Sequence, residues 1–341
     1  MRAAVVGVLL GVAVASLQLP TTRLSPANGV LNEPFRARSL NHLIEQQRLV
    51  KELSDGRILI EDDGRKFLGD LQSGLVVPLS DVGSGTLVSL TGDSSIVAYP
   101  GEWKFLVGTR IVGVLPLTNP IVSYAKENMA GLRGADSKGF IYLMIGQIKR
   151  GDSFPVMRID RATGERDVMT KLWPGRQLHG AVCVNYERDV IAADGWIAVL
   201  RANPYRVDWL SPNRQWTLGA PIPTPAVRVT AAEKQVYLAW EGKDRKQLPQ
   251  VPANELEWPE TMCPWHSGYE PLATLDGKVV VYRVPTTGGP ATRYDVVNHR
   301  GQLERQFVMA ANEAIIGFGR ASVYVVTTDG GTQKISRHPW P

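Results

Sequence analysis

The sequence predicts an all-β fold assembled from repeated four-stranded units, and three observations carry that reading. From about Arg48 onward, short runs rich in Val, Ile, Leu and Tyr alternate with Gly, Asp, Asn and Pro clusters, a strand-and-turn pattern without a helical period. Several of these runs open on the same Asp-Gly step. The chain's 33 glycines and 23 prolines supply the reversals that many short strands require.

The Asp-Gly openings are Ser54-Asp55-Gly56-Arg57, Ala193-Asp194-Gly195-Trp196 and Leu275-Asp276-Gly277-Lys278. Asp136-Ser137-Lys138-Gly139 and Gly92-Asp93-Ser94 are looser copies. Glycine accepts positive φ without a Cβ clash, so each step predicts a tight turn between antiparallel strands. A second turn follows at variable distance, as in Gln72-Ser73-Gly74, Ala162-Thr163-Gly164-Glu165, Ser211-Pro212-Asn213-Arg214 and Asn298-His299-Arg300-Gly301. Each unit thus reads as a four-stranded antiparallel blade. Units begin near Leu49, Thr86, Met129, Ala181, Leu272 and Ala314, and a recurring unit of about 43 residues predicts a six-bladed β-propeller over 48–341.

One segment interrupts the repeat. Thr230 to Lys234, followed by Val236, Leu238, Ala239 and Trp240, predicts a capped short helix, and Gln247 to Gly268 is rich in Pro and Trp. Residues 231–268 are therefore expected to be a helical and irregular insertion. The last unit, Ala314 to Arg337, has three strands at most. The lead 16–47 offers a fourth that would close the ring and remove exposed edges; alternatively, Ser39 to Gln47 is a short helix with Leu40, Leu43 and Ile44 on one face.

Met1-Arg2, the apolar run Ala3 to Val14 and the small-x-small step Ala13-Val14-Ala15 predict a signal peptide over 1–15, cleaved after Ala15. The run is too short for a bilayer, so no transmembrane anchor is expected after processing, and the localisation expected is periplasmic or secreted. Beyond the leader, 37 basic residues face 33 acidic ones without basic runs, which gives nucleic-acid binding no support. Cys183 and Cys263 lack CxxC spacing; a disulfide and two buried thiols both remain open.

The segments Leu53-Ser54-Asp55-Gly56-Arg57, Arg201 to Trp209, Val227 to Lys234 and Ile316-Gly317-Phe318-Gly319-Arg320 with Val323 to Val326 resemble exported bacterial six-bladed propellers of the NHL-repeat and TolB-like kind. The resemblance runs from about Leu49 to the C-terminus. It implies a fold and export, and transfers no catalytic residue.

No HExxH, GxSxG, P-loop or EF-hand pattern occurs, and Gly83-Ser84-Gly85 lacks the following Lys-Ser/Thr. No cofactor or metal is expected, since Glu61-Asp62-Asp63-Gly64 is explained by a turn and the five histidines His42, His179, His266, His299 and His338 show no paired spacing. In this register, the turns between second and third strands share a face with the inter-blade connections. That face gathers Lys149, Arg150, Arg201, Tyr205, Arg206, Arg283, Arg293 and the insertion with Trp240, Trp258, Trp265, His266 and Tyr269. The candidate binding residues are Arg201, Tyr205, Arg206, Trp258, Trp265, His266 and Arg283, either as a positive, aromatic rim for a protein, peptide or small anionic ligand, or as solvated loops and plugs that pin the insertion. The expected function is an extracytoplasmic binding or scaffold propeller. The alternative is a lactonase-like propeller hydrolase or lyase, with carboxylates and an Asn converging on the channel.

Overall fold

The computed structural model describes residues 21–22, 29–36, 50–62, 64–90, 92–99, 101–146, 153–173, 187–241, 256–265, 271–289, 292–329 and 332–340. The segment 1–15, expected to be a leader, lies outside them, as does Ser39 to Gln47.

Two strands from the lead, β1 (Thr21–Thr22) and β2 (Gly29–Arg36), precede six antiparallel runs. The first run is β3 (Val50–Glu52), β4 (Ile58–Asp62), β5 (Arg65–Asp70) and β6 (Leu75–Pro78). The second is β7 (Thr86–Ser89), β8 (Ser94–Ala98), β9 (Glu102–Val107) and β10 (Arg110–Pro116). The third is β11 (Gly131–Ala135), β12 (Phe140–Met144), β13 (Phe154–Asp160) and β14 (Arg166–Leu172). The fourth is β15 (Arg188–Ile191), β16 (Ile197–Ala202), β17 (Tyr205–Leu210) and β18 (Trp216–Thr217). The fifth is β19 (Leu272–Ala273), β20 (Val279–Tyr282), β21 (Thr292–Val297) and β22 (Leu303–Met309). The sixth is β23 (Glu313–Phe318), β24 (Ser322–Asp329) and β25 (Thr332–Pro339), with β2 paired antiparallel to β25 as its fourth strand.

Hydrogen bonding places these runs in five sheets arranged like a propeller. The second, third and fourth runs are separate four-stranded sheets. The fifth run gains β1, which adds parallel to the outer edge of β22 through Thr21↔Gln306 and Thr22↔Phe307. The first and sixth runs share one eight-stranded sheet, joined only by the parallel pairs Gly317↔Val50 and Phe318↔Lys51. That contact needs glycine at 317, because a Cβ there would sit 2.4 Å from the Val50 carbonyl oxygen.

The turns explain why these residues form hairpins. Gly56, Gly92, Gly139, Gly195 and Gly277 carry positive φ at the first hairpins of the first, second, third, fourth and fifth runs, as their Asp-Gly and related steps predict. At Gly277 packing adds a second reason: a Cβ would lie 2.7 Å from His299 Cε1.

Buried apolar clusters fill each gap between neighbouring runs. Leu59, Leu87 and Leu106 join the first and second, and Ile96, Ile141 and Leu143 the second and third. Tyr142, Val156 and Val199 join the third and fourth; Val207, Trp209 and Val281 the fourth and fifth; and Val280, Phe307 and Val325 the fifth and sixth. Val50, Ile58, Ile316 and Tyr324 close the circle between the sixth and the first. Both faces of each inner sheet are thus covered, which explains the near-continuous apolar runs of β16, β20 and β24.

Among the described residues, two α-helices and a short 3-10 turn (Ser80–Val82) lie outside the sheets. Helix α1 (Pro120–Glu127) was not anticipated from the strand-turn pattern; the Asn119 side chain accepts from the Ile121 N–H at 2.9 Å and Pro120 opens the first turn. Helix α2 (Ala231–Glu241) begins after Thr230, as its capping sequence predicts. Its Glu233 carboxylate reaches away from the cap to accept from the Thr287 N–H at 3.1 Å, so the helix docks on the fifth run. The first described strand of the fourth run is Arg188–Ile191; Ala181, near which that unit was expected to begin, lies outside the described residues.

Candidate functional site

The first strands of all six runs, β3, β7, β11, β15, β19 and β23, surround a central cavity of about 410 Å³. Its wall is mostly aliphatic, with residues such as Leu87, Leu132, Ile191 and Ile316. The charged residues on it are Lys51, Glu52, Asp93, Arg133, Asp189 and Arg320.

Most of that charge is spent on holding neighbouring runs together. Ser54 donates to Asp93 through its N–H at 2.7 Å and its hydroxyl at 2.6 Å, tying the first run to the second. Lys51 crosses the same gap, donating Nζ–H to the carbonyls of Leu90, at 2.8 Å, and Ser94. Burial lowers the Lys51 pKa from 10.5 to about 8, opposed by the Asp93 charge. Arg133 bridges the third and fourth runs: Nη2 lies 3.1 Å from Asp189 Oδ1, and the same nitrogen donates to the Asp189 carbonyl at 3.3 Å. Arg133 stands where β11 slips register between Leu132 and Gly134, the kind of irregularity that re-aims a side chain. Glu52 Oε2 accepts the Arg320 N–H at 3.2 Å, fastening the first run to the sixth. The Arg320 side chain itself is exposed at the cavity mouth.

The described residues singled out from the sequence lie elsewhere: Tyr205 and Arg283 between the fourth and fifth runs, Arg201 and Arg206 against Asp208 of the fourth run, and Trp258 and Trp265 in the insertion. Tyr205 and Arg283 are 5% and 3% exposed, inside the domain rather than on its rim. Both converge on buried Asp295: Oδ2 accepts from Tyr205 Oη at 3.1 Å and from Arg283 Nη1 at 2.6 Å, while Oδ1 accepts from Gln306 Nε2 at 2.7 Å. Burial, reinforced by Asp295, pushes the Tyr205 phenol well above its usual range and keeps it a donor. Arg283 also donates to the Pro264 carbonyl and to Thr224 Oγ1, and its guanidinium stacks 4.7 Å from the Tyr205 ring centre. Arg201 and Arg206 bind the two oxygens of Asp208 at 3.0 and 2.9 Å, and Arg201 also pairs with Glu187. The positive charge of Arg201, Arg206 and Arg283 is therefore largely neutralised, because each of the three has a carboxylate partner.

Trp265 is buried at 3% exposure in the gap between the fourth and fifth runs and forms an isolated bridge with Arg283, which is the plug arrangement. Trp258 is half-buried, edge-on to Tyr237 at 5.5 Å with Lys234 Nζ 5.4 Å above its ring. His266, Tyr269, Lys149 and Arg150 lie outside the described residues, and nothing is described of the Trp240 side chain. Cys263 is disulfide-bonded, and the chain's other cysteine is Cys183, also outside the described residues. His299 lies in a turn, stacked on Trp196 at 5.1 Å and 3.8 Å from Asp194. Glu61 accepts the Leu87 N–H at 2.6 Å and lies 3.7 Å from Lys66, a buried structural pair. Among the described residues no three His, Cys, Asp or Glu side chains gather as metal ligands would.

The sequence reading did not single out the cavity's charged residues. Lys51, Arg133 and Asp189 look like ordinary polar interruptions of β runs. The signal was their position: each is a charge on a first strand, where the propeller pattern leaves little solvent.

No known family model matches the chain, and no curated protein matches it. Solved β-propeller structures do. The chain is similar to a member of the DUF4221 family from Bacteroides vulgatus, at 9% identity over 92% of this chain and 99% of that one, with a TM-score of 0.48. It is also similar to a gluconolactonase from Xanthomonas campestris (9%, 93% and 100%, 0.46) and a putative TolB from Agrobacterium tumefaciens (12%, 86% and 90%, 0.42). These likenesses concern the fold alone.

Proposed function

We propose that the chain is a six-bladed, exported β-propeller that acts as a binding protein, with a small-molecule site in its central channel. The blade count takes the eight-stranded sheet as two blades, since only two parallel pairs join its halves. The observation that carries the binding reading is the channel itself: about 410 Å³, aliphatic walls and a few charged groups, within the size and character of small-ligand sites. Asp93, Arg133 and Asp189 are bonded across blade gaps, so they shape the wall. The outward loops remain available for a protein or peptide partner. Export is supported by the leader-like apolar run Ala3 to Val14 and by the disulfide at Cys263, which an oxidising compartment maintains.

The test is native mass spectrometry of the protein purified from the envelope fraction of cells producing it. A small-molecule adduct that survives gentle ionisation and is released on unfolding supports the channel reading. Turnover of lactone substrates that depends on a divalent cation would replace it with the hydrolase reading.

A further inference from the structure

Among the described residues, two arginines, Arg283 and Arg293, face one buried carboxylate, Asp295, in the gap between the fourth and fifth runs. Arg283 and Arg293 stand opposite each other on neighbouring strands, the Arg283 N–H donating to the Arg293 carbonyl at 2.8 Å. Asp295, two residues along β21, shares their side of the sheet. Both Asp295 oxygens are committed to Tyr205, Arg283 and Gln306. Arg293 gains neither a hydrogen bond nor an ion pair among the described residues, although its Nε is buried. Burial and, after it, the neighbouring Arg283 work against its charge, opposed in part by Asp295. A guanidinium does not escape by losing its proton, and Arg293, partly exposed, keeps its charge open to an incoming anion.

We propose that Arg293, backed by Arg283, forms an oxyanion site between the fourth and fifth runs, taking a carboxylate or phosphate group. The guanidinium fork suits either group, and partial desolvation strengthens the charge-assisted bonds it offers. The site is distinct from the channel and does not depend on a channel ligand.

The test uses the full chain in chloride buffer at fixed ionic strength, with acetate and inorganic phosphate as separate probes, each replacing chloride. Wild type is compared with Arg293→Met, which keeps the aliphatic stem, and with Arg293→Lys, which keeps the charge without the fork. The expected result is a rise in wild-type Tm of about 2–4 °C at roughly tenfold excess of probe over its Kd, with binding weakened at least tenfold in Arg293→Met. Acetate alone raising Tm marks a carboxylate site, phosphate alone a phosphate site. Arg293→Lys binding more weakly than wild type and more tightly than Arg293→Met supports recognition by the fork. The proposal is overturned if neither probe acts, or if Arg293→Met responds as wild type does.

Discussion

At the scale of single residues, the arginines that look like surface recognition in the sequence turn out to organise the interior. Nothing in Arg201-Ala202-Asn203-Pro204-Tyr205-Arg206 reveals that its charges meet Asp208, or that Tyr205 reaches Asp295, 90 residues away. Those partners are set by the register of β16 on β17 and by the neighbouring run, which a local pattern does not encode. Asp295→Asn is expected to cost about 3–5 kcal/mol, because it leaves the buried Arg283 guanidinium without its carboxylate; urea unfolding measures it. A value under about 1 kcal/mol would show the network to be dispensable. Lys51 gives a prediction in pH. Its folded pKa of about 8 lies below the usual 10.5, so between those values the folded chain binds fewer protons at this site than the unfolded chain. Stability contributed there therefore rises with pH across that window. The stability of wild type relative to Lys51→Met is expected to increase from pH 7.5 to pH 10, read as the difference between their unfolding free energies.

At the scale of elements, the hairpins were the most legible part. Asp-Gly steps act locally, and the positive φ at Gly56, Gly195 and Gly277 follows from chemistry within four residues. The three strands of the last unit were equally readable, each a β-rich run between turns. Helix α1 escaped because its eight residues sit between two strand patterns and owe their helicity to Asn119, Pro120 and burial of Ile121, Val122 and Ala125. The insertion was visible as a break in the repeat, but its role was divided in a way sequence does not show. Tyr237, Leu256, Met262, Cys263 and Val284 form a satellite core, whereas Trp265 belongs to the main gap between runs. Trp265→Ala should accordingly destabilise the domain by about 3–5 kcal/mol, while Trp258→Ala, half-exposed, should cost clearly less; thermal unfolding of both variants compares them. Equal losses would contradict this division. The lead supplies a further case: removing residues 1–36 takes β1 and β2 from the outer edges of β22 and β25. Exposed edges template association, so light scattering should show oligomers or aggregation. A monodisperse monomer would count against the role of these strands in covering the edges.

At the scale of the whole molecule, six antiparallel runs pack through six apolar clusters around one cavity. The repeat was readable because each run restates the same turn chemistry. The cavity was not, since it is made by one short strand from every run and exists only when the circle closes. The channel is the account's functional core, and it can be blocked from within. Ala193 lines it from a turn and is partly exposed, so a larger side chain can enter the cavity without displacing the buried clusters. The decisive measurement is a thermal-shift screen of a small-molecule collection against wild type and Ala193→Trp, after circular dichroism shows that the variant keeps its β signal. Compounds that raise the wild-type Tm and leave Ala193→Trp unmoved are expected if the channel binds ligands. Hits that stabilise both proteins equally would place recognition outside the channel and contradict the proposal.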